Sequence, residues 1–160
     1  MPKKTKRTRA FSLLELVIVV VIIGIIAAIA IPRMSRGSAG AANSALSGNL
    51  AVLRGAIELF AAEHGGKFPK LATIEAQLTK YTDSSNTTAA VDAKDKDHPF
   101  GPYLRAVPPL PVGANKGSTT FTDTMGAGGF GWVYDEDTGE VRANCADTEL
   151  DDADSKYNQY

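Results

Sequence analysis

The chain is poor in the residues that most enzyme chemistry requires. Of its 160 residues one is a cysteine, Cys145, and two are histidines, His64 and His98. A single thiol excludes an intramolecular disulfide and any cysteine metal cluster. Cys145 reads as a small packing residue, with an intermolecular contact as the lesser alternative. The histidines fall at the end of a helical pattern and in a polar loop, and neither has a serine or cysteine motif beside it, so no nucleophile–base pair can be drawn. No phosphate loop, dinucleotide fingerprint or zinc spacing is present. The chain is therefore expected to be no enzyme and to have no cofactor. Basic residues are also scarce beyond the first ten positions, which hold Lys3, Lys4, Lys6, Arg7 and Arg9. Without those ten residues, twelve basic residues face eighteen acids, and the net charge moves from −1 to −6. No basic run survives elsewhere, so nucleic acid is not an expected partner.

What the sequence does hold is one long apolar run, Phe11–Ile31, FSLLELVIVVVIIGIIAAIAI, with Glu15 as its single charge. As a helix these residues extend roughly 31 Å, which matches a hydrocarbon thickness of about 30 Å. A membrane span is expected. The basic, acid-free decapeptide before it places the N-terminus in the cytoplasm and the rest of the chain outside. Glu15 is the anomaly, because a carboxylate inside a bilayer costs roughly 2.5–3.5 kcal/mol at the helix centre and needs a partner or a shallow position. Two plainer readings compete. Ala28-Ile29-Ala30 satisfies the A-x-A cleavage pattern of a secretory signal peptide, but the run is longer than the usual apolar region of about 7–15 residues, and Pro32 follows closely. A simple anchor explains the hydrophobicity and leaves Glu15 unexplained.

A basic leader, a small residue, then Phe-Ser-Leu-Leu-Glu and a long β-branched apolar run resemble the prepilin signature of type IV pilins and type II secretion pseudopilins. The resemblance implies that a prepilin peptidase cuts between Ala10 and Phe11 and N-methylates the new Phe11 amine. The family's usual residue before the cut is Gly, and the small Ala10 stands there in this chain. Glu15 then takes the role of an assembly contact. Gly24 and Pro32 bound an Ile-rich piece in which the helix is expected to bend or break at Pro32, because proline removes a donor and crowds the carbonyl of Ala28. In lipid this piece stays helical, whereas in filaments of the family the matching region is often unwound.

Beyond Met34 the residues turn small and polar, and then Leu46, Leu50, Leu53, Ile57 and Phe60 recur at helical spacing. Gly65-Gly66 supplies a left-handed stop. One helix from about Ser12 to about His64 is expected, apolar all round in its first half and on one stripe in its second. Thr73 reads as the N-cap of a short helix to about Lys80, with Ile74, Leu78 and Tyr81 inward. The segment after it is a polar loop, in which Asn86-Thr87-Thr88 matches the N-glycosylation pattern without being expected to be used. The proline-rich stretch from Gly101 to Pro111 reads as extended coil over the head rather than as a ligand for a proline-recognising domain. Ser118–Asp123 reads as an edge strand. Gly131–Tyr134 and Glu140–Ala143 flank a Gly-bearing loop as a hairpin. Asp135, Glu136 and Asp137 at this turn are possible calcium ligands, with Asp135 and Asp137 the preferred pair. GPYL followed by GWVYDEDTGEVRAN also looks like the C-terminal half of heads akin to the major pseudopilin.

The expected fold class is α+β, a long N-terminal helix packed on a small C-terminal antiparallel sheet. The expected divisions are a removed leader (1–10), a transmembrane or filament-core helix (11–31), a periplasmic or extracellular head (32–146) and an acidic mobile tail (147–160). The resemblance implies a filament subunit held in the inner membrane, with its own copies, a prepilin peptidase, an inner-membrane assembly platform and lipid as partners. The filament is either a periplasmic pseudopilus for protein secretion or an extracellular pilus for adhesion, motility or DNA uptake. The competing class is a membrane-anchored binding module outside any filament.

Overall fold

The computed structural model describes residues 11–84, 90–151 and 153–160, and of residues 29–39 the backbone only. The leader with Ala10 and the Asn86-Thr87-Thr88 pattern lie outside the described residues. Helix α1 is assigned over Leu13–Glu63, a range that includes Gly24 and Pro32. The chain divides into two compact units, Met1–Ser38 and Ala39–Tyr160.

In the first unit the described side chains, from Leu13 to Ala28, form an apolar helical stretch. Its large residues are exposed, from Leu13 at 81 % to Val17 at 46 %. Glu15 stands in the first turn, where the unpaired amides of a helix N-terminus favour negative charge.

The second unit is built on the later part of α1. Gly40–Glu63 is also long and apolar enough to pass for a membrane span. Its Leu46, Leu50, Leu53, Ile57 and Phe60 are nevertheless at most 1 % exposed, which is the profile of a core helix. Burying such side chains stabilises the fold by about 1.5–3 kcal/mol each. The helix ends where Gly65 and Gly66 take positive φ, and the Gly66 amide donates to Ala61 O at 2.8 Å, closing a Schellman turn.

Three short strands cover the stripe in the order β1 (Phe121–Thr122), β2 (Trp132–Tyr134) and β3 (Val141–Ala143). The β2–β3 hairpin is antiparallel, with Trp132 opposite Ala143 and Tyr134 opposite Val141. All four of these residues are buried. The expected edge strand joins β2 in parallel, so the sheet is mixed rather than wholly antiparallel. The reason is connectivity, because the chain crosses back over Gly126–Gly131 instead of turning tightly. Trp132 Nε1 donates to Pro108 O at 2.9 Å and Tyr134 Oη to Pro69 O at 2.9 Å, so each large ring also ties down a loop. The proline-rich coil contributes Leu104, Val107, Leu110 and Val112 to the same core.

Helix α2 covers Ile74–Thr79, the expected short helix, after a 3₁₀ turn at Leu71–Thr73. Thr73 occupies the N-cap position without a side-chain cap. Its hydroxyl turns back toward Lys70 O, 3.5 Å away. Ile74 and Leu78 face inward as expected, Gln77 replaces Tyr81 among the buried residues, and Tyr81 is half-buried.

The acidic tail is a correction. Instead of hanging free, it folds back through a Leu150–Lys156 bridge and a 3₁₀ turn at Tyr157–Gln159. Asn158 is buried and donates to Cys145 O and Asp147 Oδ1. Tyr157 Oη donates to Asn43 Oδ1 at 3.1 Å, and Arg54 Nη2 donates to Tyr160 O and to Val141 O. Two tyrosines and an asparagine thus anchor a segment whose charge alone argues for solvation.

This core predicts that a fragment beginning at Arg36 is soluble and folded. Within it Leu53→Ala should lose about 2–5 kcal/mol, the cost of truncating a fully buried leucine. Urea titration of parent and variant measures the difference, and a loss below about 1 kcal/mol contradicts the packing.

Candidate functional site

Phe11 and Glu15 lie four positions apart at the start of the apolar stretch, and both are exposed. Phe11, the residue expected to become the methylated N-terminus, is 80 % exposed. Gly24 lies in the same stretch with open space where a Cβ would stand, and Pro32 is known here by its backbone alone.

In the head, Asp135 of the hairpin turn, one of the possible oxygen ligands, is engaged with the turn's own backbone. Asp135 N–H donates to Glu140 O at 3.0 Å, and Asp135 Oδ1 accepts from Asp137 N at 2.9 Å. That amide holds the Asp135 carboxyl below its ordinary pKa. Gly139 closes the turn at φ +74, and a side chain there would collide with the Phe68 ring. Glu136 reaches away from the turn and accepts from Leu71 N at 2.7 Å and from Lys70 Nζ at 3.3 Å. Among the described residues, no three or more His, Cys, Asp or Glu side chains are gathered where they could hold a metal ion.

The two histidines are parts of the architecture. His64 is buried, stacks on Phe60 with ring centroids 3.8 Å apart, holds Phe60 O at 2.8 Å through Nδ1, and sets Nε2 3.1 Å from Thr82 Oγ1. His98 Nδ1 lies 2.8 Å from Asp95 Oδ1. Cys145 is 1 % exposed, and burial together with the Glu149 carboxylate pushes its thiol up to about 12. A thiol so protonated is a weak nucleophile, in keeping with a packing role.

Residues passed over in the sequence carry much of the head's geometry. Asn144 is fully buried; its Nδ2 donates to Ala127 O and Phe130 O at 2.8 Å each, and its Oδ1 accepts from Gly126 N at 2.7 Å. Asn115 donates to Asn144 O and accepts from Gly129 N. The glycine-rich loop, which reads as flexible, is held by these two side chains. Glu149 likewise accepts from Ala114 N and Ala146 N at 2.6 and 2.7 Å. A polar residue in a loop looks solvated in any sequence, so no local signal marks these roles. An open groove of about 460 Å³ lies between α2 and β1, lined among others by Leu71, Ile74, Lys80, Phe121 and Phe130.

Glu136 yields a pH prediction. The Leu71 amide, then Lys70, lower its pKa in the folded head. A depressed carboxylate stabilises the fold above its unfolded value of about 4.3 and loses that contribution as pH falls through the folded value. Glu136→Gln should therefore flatten the acid side of the Tm–pH curve below about pH 4.3, as read by thermal melts from pH 6 to 3. Parallel curves would show that the contact contributes nothing.

The model of the prokaryotic N-terminal methylation motif matches residues 5–31, the stretch that contains Ala10, Phe11 and Glu15. Neither the curated proteins nor the solved structures contain a match to the chain. The motif, with the exposed apolar helix that follows Phe11, gives the chain the N-terminal signature of type IV pilins and pseudopilins.

Proposed function

We propose that the chain is a structural subunit of a type IV pilus-like filament or type II secretion pseudopilus. It waits in the inner membrane with residues 1–10 in the cytoplasm and the head outside, and it is drawn into the polymer after cleavage at Ala10. The observation that carries this reading is the methylation motif at 5–31 laid on an apolar helix whose large side chains are exposed from Leu13 onward. Such a surface is stable only under lipid or against other apolar helices. In the filament the stretch from Gly24 to Pro32 is where the helix would open, and the head decorates the surface.

The chemistry centres on Glu15. Cleavage creates an α-amine on Phe11 one helical turn away, and in a stack of staggered helices the amine of a neighbouring copy can take its place. Pairing across copies couples charge neutralisation to assembly. Removing one partner strands the other at a cost of roughly 3–5 kcal/mol.

Intact-mass measurement on the mature protein is expected to show loss of Met1–Ala10 and gain of one methyl group. A mature N-terminus at Ile31 would reveal an ordinary signal peptide and end the filament reading. Glu15→Ala is expected to insert in the membrane at parental levels but to yield far less sheared filament, with Glu15→Asp between the two. An alanine variant that polymerises like the parent would remove Glu15 from the assembly contact.

A further inference from the structure

His64 stands one residue past Glu63, the last residue of α1, and is 3 % exposed. Its tautomer follows from its partners. A backbone carbonyl only accepts, so Nδ1, 2.8 Å from Phe60 O, carries the ring hydrogen. Nε2 is then a lone pair, to which Thr82 Oγ1 donates across 3.1 Å. Thr82 is held in place by its backbone, which donates to Phe100 O at 3.0 Å and accepts from Phe100 N at 3.3 Å. The same hydroxyl reaches the Tyr103 phenol. Burial, then the Glu63 carboxylate, raise the pKa of that phenol and Thr82 lowers it, the sign of a hydroxyl that donates toward the phenol oxygen. Tyr103 Oη in turn donates to Glu63 Oε2 at 2.6 Å. A line of polar groups thus runs from the buried ring through Thr82 Oγ1 and Tyr103 Oη to an exposed carboxylate.

A second proton on this ring sits at Nε2 and turns it from acceptor to donor. Burial opposes the charge. Thr82 Oγ1 can nevertheless accept the new bond if its own hydrogen turns to Tyr103 Oη, whose hydrogen already points at Glu63. The change takes one proton from water, breaks no covalent bond and leaves each donor on the line with an acceptor. Two further features favour the cation. His64 lies at the C-terminal end of α1, where the helix carbonyls attract positive charge. Its ring stacks on the face of Phe60 with centroids 3.8 Å apart and planes 7° from parallel, and the Phe100 ring stands 5.2 Å away. The other titratable or charged residues on the segments around the ring are Lys67, Lys80, Tyr81, Asp83, His98 and Arg105. Of these Lys80 is paired with Asp92 and His98 with Asp95.

We infer that His64, Thr82, Tyr103 and Glu63 form a reversible proton switch, through which the head takes a proton into its interior in mild acid without opening the junction between the end of α1 and the Thr82–Phe100 bridge. In the neutral state Thr82 donates to the ring. In the charged state the ring donates to Thr82, and the two hydroxyls point in turn toward Glu63. The switch works across the pH range in which an ordinary imidazole changes charge, around 6.5. It concerns the head alone and stands whether or not the chain polymerises.

The test uses the detergent-solubilised full-length protein, melted from about pH 8 to about pH 5.5, where imidazoles change charge and ordinary carboxylates do not. A buried histidine that cannot hold its charge is protonated only on unfolding, and stability then falls with pH. His64→Gln, which keeps His98, gives the background slope. The parent Tm is expected to fall no more steeply than that background. Tyr103→Phe and the isosteric Thr82→Val are each expected to lose a few degrees more at the acid end than at the alkaline end, whatever their stability at pH 8. Imidazole ¹⁵N shifts of the folded parent should show the Nδ1–H tautomer of His64 at about pH 8 and both ring nitrogens protonated at about pH 5.5. A parent that falls as steeply as Tyr103→Phe overturns the inference, as do variant curves parallel to the parent's. So does a folded parent whose His64 stays neutral at about pH 5.5, or carries its hydrogen on Nε2 at about pH 8.

Discussion

The head depends on one burial event, the removal from water of the Leu46–Phe60 stripe beneath Trp132 and Tyr134. The three strands contain only two, three and three residues. Sheets so small do not stand alone in water, and no disulfide is available to brace them. The stripe supplies what the sheet lacks, a rigid apolar surface on which each alternate strand residue can settle. The coil from Leu104 to Val112 completes the cover with side chains rather than with ladder bonds.

With so little regular structure, many backbone amides and carbonyls of the head have no neighbouring strand to meet. Side chains take over that work. Asn144 and Asn115 satisfy the glycine-rich loop, Glu136 the entry to α2, Glu149 the segments around Cys145, and Asn158 the tail. Where such a group is buried, as Cys145 O is beneath Asn158, leaving it unpaired costs about 1–3 kcal/mol. The same logic folds the acidic tail. Asp147 and Asp154 stay at the surface while Tyr157 and Tyr160 pack against the core and Asn158 satisfies a buried carbonyl.

The N-terminal unit obeys the opposite rule. Its large apolar side chains from Leu13 to Ile26 are exposed all round, a state that water does not tolerate and that lipid or other apolar helices relieve. One assigned helix thus contains two kinds of surface, one built for an outside partner and one that makes the subunit's own core.

The parts legible in the sequence were those set by local periodicity and by backbone chemistry. The run from Phe11, the stripe from Leu46 to Phe60, the Gly65-Gly66 stop and the hairpin around Gly139 each follow from spacing or from a residue's conformational freedom, which act over a few positions. The family signature was legible for the same reason, since it is a contiguous arrangement of Ala10, Phe11 and Glu15. The tertiary structure alone decided the parallel entry of β1, the absence of a side-chain cap from Thr73 on α2, the folded tail and the asparagine clasps. These depend on which distant backbone group lies within 3 Å of a polar atom, and that proximity arises only after the apolar stripe has been buried.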